Sequence, residues 1–157
     1  MSNAVATDSV LVGVDGSAAS AAAVRWAAAE AAGRHTRLHA VHVVEHEDGD
    51  DPRLELDLAR RTVPGRVGDW VCAEGIEVDI AVSIVTGRVA TQLTQASSDA
   101  ALVVIGTPAS PRHHALPAEL AARCLCPVTI VGEQGDTSSL AASAVSVRTE
   151  GARHARP

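Results

Sequence analysis

The chain has 157 residues, 46% of them apolar and 20% charged, a length that suits one domain around one core and would be cramped for two. It carries 30 Ala, two Trp, no Phe and no Tyr, and all 13 basic residues are Arg, so the core is aliphatic and a P-loop lysine, a Schiff-base lysine and a catalytic tyrosine are excluded. Nineteen acids against thirteen arginines leave a net charge of −6, which disfavours nucleic-acid binding through a basic face, and no apolar run approaches the roughly 18–20 residues of a membrane span.

Val10–Val14 is a short apolar run ended by Asp15-Gly16-Ser17 and reads as a first strand. Ser20–Ala32 is dominated by Ala, the best helix former, with Gly33 placed to end the helix. Leu38–Val44 is a second strand, followed by an acidic loop containing Glu45, Glu47, Asp48, Asp50 and Asp51. An EF-hand counted from Asp48 fails, because Arg53 and Ala59 stand where Gly and Glu are required. Leu54 to Val71 is mostly helical, and Pro64-Gly65 with Gly68 predicts a kink or a division into two short helices, since Pro lacks an amide donor and clashes with the preceding turn. Val78–Val85 is a third strand, Arg88–Ser97 a helix capped by Thr86 or Gly87, and Ala101–Ile105 a fourth strand. After the loop Gly106–His114 come a helix over Pro117–Arg123 and a fifth strand, Val128–Val131. Residues 133–157 offer little to bury, so a disordered tail is predicted there, and residues 1–8 are read as a flexible start to a domain over 9–132.

Five near-continuous apolar strands separated by helices predict a doubly wound α/β fold, a five-stranded parallel sheet with helices on both faces. In such sheets ligands bind beyond the carboxyl ends of the strands, where strand order reverses. With order 3-2-1-4-5, strands one and four flank that crevice and bring Asp15-Gly16-Ser17 and Gly106-Thr107 to one place.

Four pieces in this order carry a resemblance to a known family: Val12-Gly13-Val14-Asp15-Gly16-Ser17; Val41-His42-Val43-Val44; Gly87 with the helix leading to Asp99-Ala100-Ala101-Leu102-Val103-Val104-Ile105-Gly106; and Cys126-Pro127-Val128-Thr129-Ile130-Val131. Over residues 9–132 the chain resembles the universal stress proteins. The resemblance implies a cytoplasmic domain with the strand order above, a homodimer paired through the last strand, and, in a subset of members, ATP binding. It also implies that Asp15 lies against adenine and ribose and that Val43 offers a backbone contact from the second strand.

ATP-binding members carry Gly-x2-Gly-x9-Gly-(Ser/Thr) after the fourth strand. Here Gly106 remains, Ala109 replaces the second glycine, and His114-Ala115 stands where the final pair belongs. Glycine matters there because a backbone without Cβ adopts positive φ and brings amides close to phosphate oxygens, while Pro108 and Pro111 remove two more donors. The phosphate cradle therefore reads as dismantled. The nucleotide-pocket candidates are Asp15, Gly16, Ser17, Val43, Gly106 and Thr107, with Arg112 as an anion contact beside His113 and His114. Asp15-Gly16-Ser17 has a second reading as a helix cap and tight turn, and Gly106 as a turn residue alone.

His42-Val43-Val44-Glu45-His46 spells the H-x-x-E-H zinc signature, which needs a helix. On a strand its two histidines lie about 13 Å apart, at about 3.3 Å per residue, too far to share one metal. No metal site and no catalytic constellation are read. Cys72, Cys124 and Cys126 lack redox or zinc spacing; Cys126 reads as buried packing and Cys124 as exposed. Trp26 and Trp70 read as helix–sheet packing or a partner surface. The functional expectation is a non-enzymatic, stress-response or regulatory domain that binds a partner protein or small ligand, with ATP bound weakly or not at all. The alternative is an ATP- or AMP-binding sensor or weak nucleotide hydrolase. Val128–Val131, as an edge strand, invites pairing with a second copy.

Overall fold

The computed structural model describes residues 8–140. In chain order it contains β1 (Ser9–Gly13), α1 (Ala18–Gly33), β2 (Leu38–Val44), α2 (Arg53–Ala73), β3 (Ile80–Thr86), α3 (Val89–Ala96), β4 (Ala100–Gly106), α4 (Leu116–Arg123), β5 (Val128–Val131) and β6 (Thr137–Leu140), with short 3₁₀ turns at Ser97–Asp99 and Pro111–His113. The sheet runs β3-β2-β1-β4-β5-β6. Its first five strands are parallel, in the order expected, and β6 pairs antiparallel with β5.

The period-2 alternation of each central strand divides the core into two layers. Val10, Val12, Leu38, Ala40, Leu102 and Val104 face α1 and α2. Leu11, Val41, Val103, Ile105 and Val128 face α3 and α4 with Leu93, Leu116 and Leu120. Helix α1 approaches the sheet closely because its inner side is almost all Ala, with Ala23, Ala27, Ala28 and Ala31 fully buried. Trp26 and Trp70 pack partly buried against the same layer.

Four sequence expectations are corrected. The expected division of α2 into two short helices is not found: it is one helix with Pro64 inside it; Pro64 and Arg60, whose carbonyl loses its donor, are both exposed, so water can reach the freed acceptor. Arg88, not Thr86 or Gly87, stands at the cap of α3, and it makes no side-chain capping bond. Cys124 is buried against α4 and β5 rather than exposed.

The fourth correction concerns the tail and the sheet edge. Residues 133–140 are ordered by a hairpin: the Gly132 amide donates to the Asp136 carbonyl, Gly135 donates back to Gly132, and Gly135 takes φ of 86°, a left-handed value that glycine adopts freely. Val128–Val131 is consequently an interior strand, paired residue for residue with Leu140–Thr137, and the outer edge at this end is β6. Residues 1–7 and 141–157, the rest of the expected flexible start and tail, lie outside the described residues.

Candidate functional site

Strand β1 lies between β2 and β4, so the chain leaves the sheet centre in opposite directions on its two sides. The carboxyl ends of the three strands open on a cavity of about 490 Å³ lined by Gly13, Val14, Asp15 and Gly16 after β1, Val43 and Glu45 at β2, and Gly106, Arg112 and His113 after β4. The crevice therefore stands where strand order predicted it.

The turn after β1 is held by its own side chains. Asp15 Oδ1 accepts from the Ser17 amide at 2.9 Å, Ser17 Oγ caps α1 by accepting from the Ser20 amide at 3.1 Å, and the Asp15 amide donates to Ser20 Oγ at 3.0 Å. Gly16 has φ of 86°. The capping reading of Asp15-Gly16-Ser17 is thus realised in hydrogen bonds, with Asp15 and Gly16 also on the cavity wall and Ser17 off it. Gly106 serves close approach: a Cβ there would lie 2.6 Å from the Ala19 carbonyl carbon, inside the first turn of α1. Thr107 points elsewhere, its amide and hydroxyl both donating to the Val131 carbonyl, at 2.9 and 3.4 Å, and it does not line the cavity.

The loop after β4 consumes its donors internally. Among residues 107–115 the prolines at 108 and 111 have no N–H. The amides of Thr107, His113 and His114 bond the Val131, Ser110 and Pro111 carbonyls, and the Arg112 amide bonds Ser110 Oγ. At most the amides of Ala109, Ser110 and Ala115 remain for a ligand. The side chains are engaged as well: His113 Nε2 lies 2.9 Å and Arg112 Nη2 3.9 Å from the same Glu45 oxygen. Glu45, directly after β2, thereby sits against the two side chains that sequence reasoning offered to an anion.

Three further residues line the cavity: His42, weighed from the sequence only for zinc and as part of the resemblance, and Glu55 and Arg66, which were not singled out. His42, on β2, donates from Nδ1 to the Val14 carbonyl at 2.7 Å, which fixes its tautomer and leaves Nε2 without that bond. Glu55 and Arg66 reach the cavity from α2, in a stripe with Leu58, Ala59, Thr62 and Val63. That stripe follows the i, i+3, i+4 spacing of one helix face, a signal present in the sequence but legible only once α2 is known to cross the strand ends. Among the described residues no group of three or more His, Cys, Asp or Glu side chains converges as a metal site, and no helix is long and apolar enough to cross a membrane.

A doubly wound sheet with its cavity at the β1/β4 switch point defines a nucleotide-binding-like α/β domain. The universal stress protein family model matches residues 7–132, and the chain belongs to that family. It is 32% identical over 155 residues to universal stress protein Rv3134c of Mycobacterium tuberculosis, covering 88% of this chain and 55% of that protein; the chain spans about half the length of the curated relatives it matches. Among solved structures it is similar to a universal stress protein in complex with cAMP, with TM-score 0.64, 24% identity, and coverage of 80% of this chain and 97% of that one. It is also similar to the universal stress protein from Archaeoglobus fulgidus in complex with dAMP, with TM-score 0.60, 21% identity, and coverage of 80% and 98%.

Proposed function

We propose that this domain is a non-catalytic, regulatory ligand-binding module of the stress-response type, and that its crevice takes an adenine nucleoside or nucleoside monophosphate in preference to ATP. The observation that carries this is the position of Glu45, whose carboxylate lies 2.9 Å from His113 and 3.9 Å from Arg112 on the cavity wall. A triphosphate brought there meets a carboxylate, two prolines and at most three uncommitted amides, where close multidentate NH contact is required. The cavity also has an apolar wall of Val14, Val43 and Val44 beside Asp15 and His42. Relatives of the same fold hold cAMP and dAMP, each with a single phosphate.

Cytoplasmic placement is part of the same reading, supported by three free thiols, Cys72, Cys124 and Cys126. A homodimer through Val128–Val131 requires β6 to leave its place, because β5 already has neighbours on both sides. Isothermal titration of the full chain with ATP, AMP and adenosine tests the ligand preference. AMP or adenosine binding at least tenfold tighter than ATP is expected, and micromolar ATP affinity equal to or better than that of AMP overturns it.

A further inference from the structure

The geometry points to Arg66 of α2, not the loop after β4, as the group that receives the anionic end of the ligand, and to a ligand whose apolar ring system carries a single anionic group. This rests on the proposed reading of the crevice as a nucleoside or nucleoside-monophosphate site. The cavity has two arginines, Arg66 and Arg112. Arg112 Nη2 lies 3.9 Å from Glu45 Oε1, whereas among the described residues Arg66 makes no ion pair. The Arg66 guanidinium lies against the turn after β1, with Nη1 3.3 Å from where a Cβ on Gly16 would stand. Asp15 in the same turn directs its carboxylate oxygen to the Ser17 amide and forms no ion pair with Arg66.

The rest of α2 gives the wall a direction. Along its cavity face the order is Glu55, then Leu58, Ala59, Thr62 and Val63, then Arg66. The eleven steps from Glu55 to Arg66 span about 16 Å at about 1.5 Å per residue. Acid, apolar stretch and base thus follow one another along one side of the cavity. A planar base lies along the apolar stretch, its exocyclic donors reach Glu55, and one phosphate or carboxylate meets Arg66. An arginine matches such an oxyanion with two parallel N–H bonds, which a single anionic group satisfies.

The test is titration of the full chain and its Arg66→Gln, Arg66→Lys and Arg60→Gln variants with AMP, adenosine and inorganic phosphate. Calorimetry is read beside the NMR signals of the Gly16 amide and the Arg66 Nε–H. The expected result is AMP binding at least tenfold tighter than adenosine in the parent. Arg66→Gln abolishes that ratio without weakening adenosine, Arg66→Lys restores part of it, and Arg60→Gln, on α2 but off the cavity wall, changes nothing. An AMP-to-adenosine ratio unmoved by Arg66→Gln overturns the assignment while leaving the crevice reading intact. Phosphate shifting the Gly16 and Arg66 signals in a chain that binds neither nucleoside supports Arg66 and overturns the nucleotide reading. Absence of all three binding signals overturns both.

Discussion

Glu45 Oε1 and His113 Nε2 stand 2.9 Å apart and join the end of β2 to the turn that follows β4. Both side chains are mostly buried, 26% and 30% exposed, so the contact lies on the cavity wall in a setting less screened than open surface. Glu45→Gln keeps an acceptor for the histidine and removes the charge. The expected outcome is a gain of at least tenfold in ATP affinity, about 1.4 kcal/mol, with adenosine affinity changed less than twofold. Calorimetry on the variant checks it, and unchanged or weaker ATP binding contradicts the role given to Glu45.

The strand–helix alternation was legible because each central strand is an unbroken aliphatic run and α1 is nearly pure Ala. Strand order came from the family resemblance and is matched by the observed pairing of β1 with β2 and β4. β6 was missed because Thr137-Ser138-Ser139-Leu140 has no apolar periodicity; it forms through the Gly132–Asp136 turn and the ladder on β5. The cavity's position followed from topology. The partnership of Glu45 with His113 did not, since residues 68 positions apart meet only through tertiary packing. Glu45 read as the start of a solvated acidic loop for the same reason.

Two glycines of the crevice separate packing from conformation. Gly106→Ala forces a Cβ to within 2.6 Å of main-chain atoms in α1, which cannot yield as a side-chain end does, and overpacking of this kind costs about 1–3 kcal/mol. Gly16→Ala meets only the Arg66 side chain at 3.3 Å, but must hold φ of 86°, at a cost of about 1 kcal/mol. Urea unfolding of both variants is expected to place Gly106→Ala as the less stable. The reverse order removes the packing role assigned to Gly106.

The stability profile against pH is expected to fall on both sides for named reasons. Burial, and then Arg37, holds the His39 imidazole below its ordinary value against the opposing pull of Asp99, and its Nε2 contacts Ser83 Oγ at 2.8 Å. Below about pH 6.5 the unfolded histidine takes a proton that the folded one resists, so stability declines with acidification. Burial, with Cys124 nearby, pushes the Cys126 thiol from 9.0 up to about 11. Between those values the unfolded chain gives up a proton that the folded chain keeps, so stability declines by about 1–2 kcal/mol with rising pH. Denaturant midpoints measured from pH 5 to 11 are expected to lose the acid decline in His39→Gln and the alkaline decline in Cys126→Ala. Either variant retaining the parent profile refutes the corresponding assignment.

The sheet edge supplies the last expectation. β6 seals β5 through four paired positions, Val128 with Leu140 to Val131 with Thr137, and a contact of 3.3 Å between Thr129 Oγ1 and Ser139 Oγ. The edge it presents instead is short, and Thr137, Ser138 and Ser139 are exposed polar residues, features that discourage strand addition. A chain ending at Gly132 leaves the backbone groups of Val128–Val131 unpaired on one side and exposes an apolar, β-branched strand, the condition for antiparallel pairing with a second copy. Sedimentation or light scattering across a concentration series is expected to show self-association at least tenfold stronger for the shortened chain than for the full one. Equal dimerisation of the two chains would mean that β6 neither blocks nor replaces the β5 contact, and that copies meet through another surface.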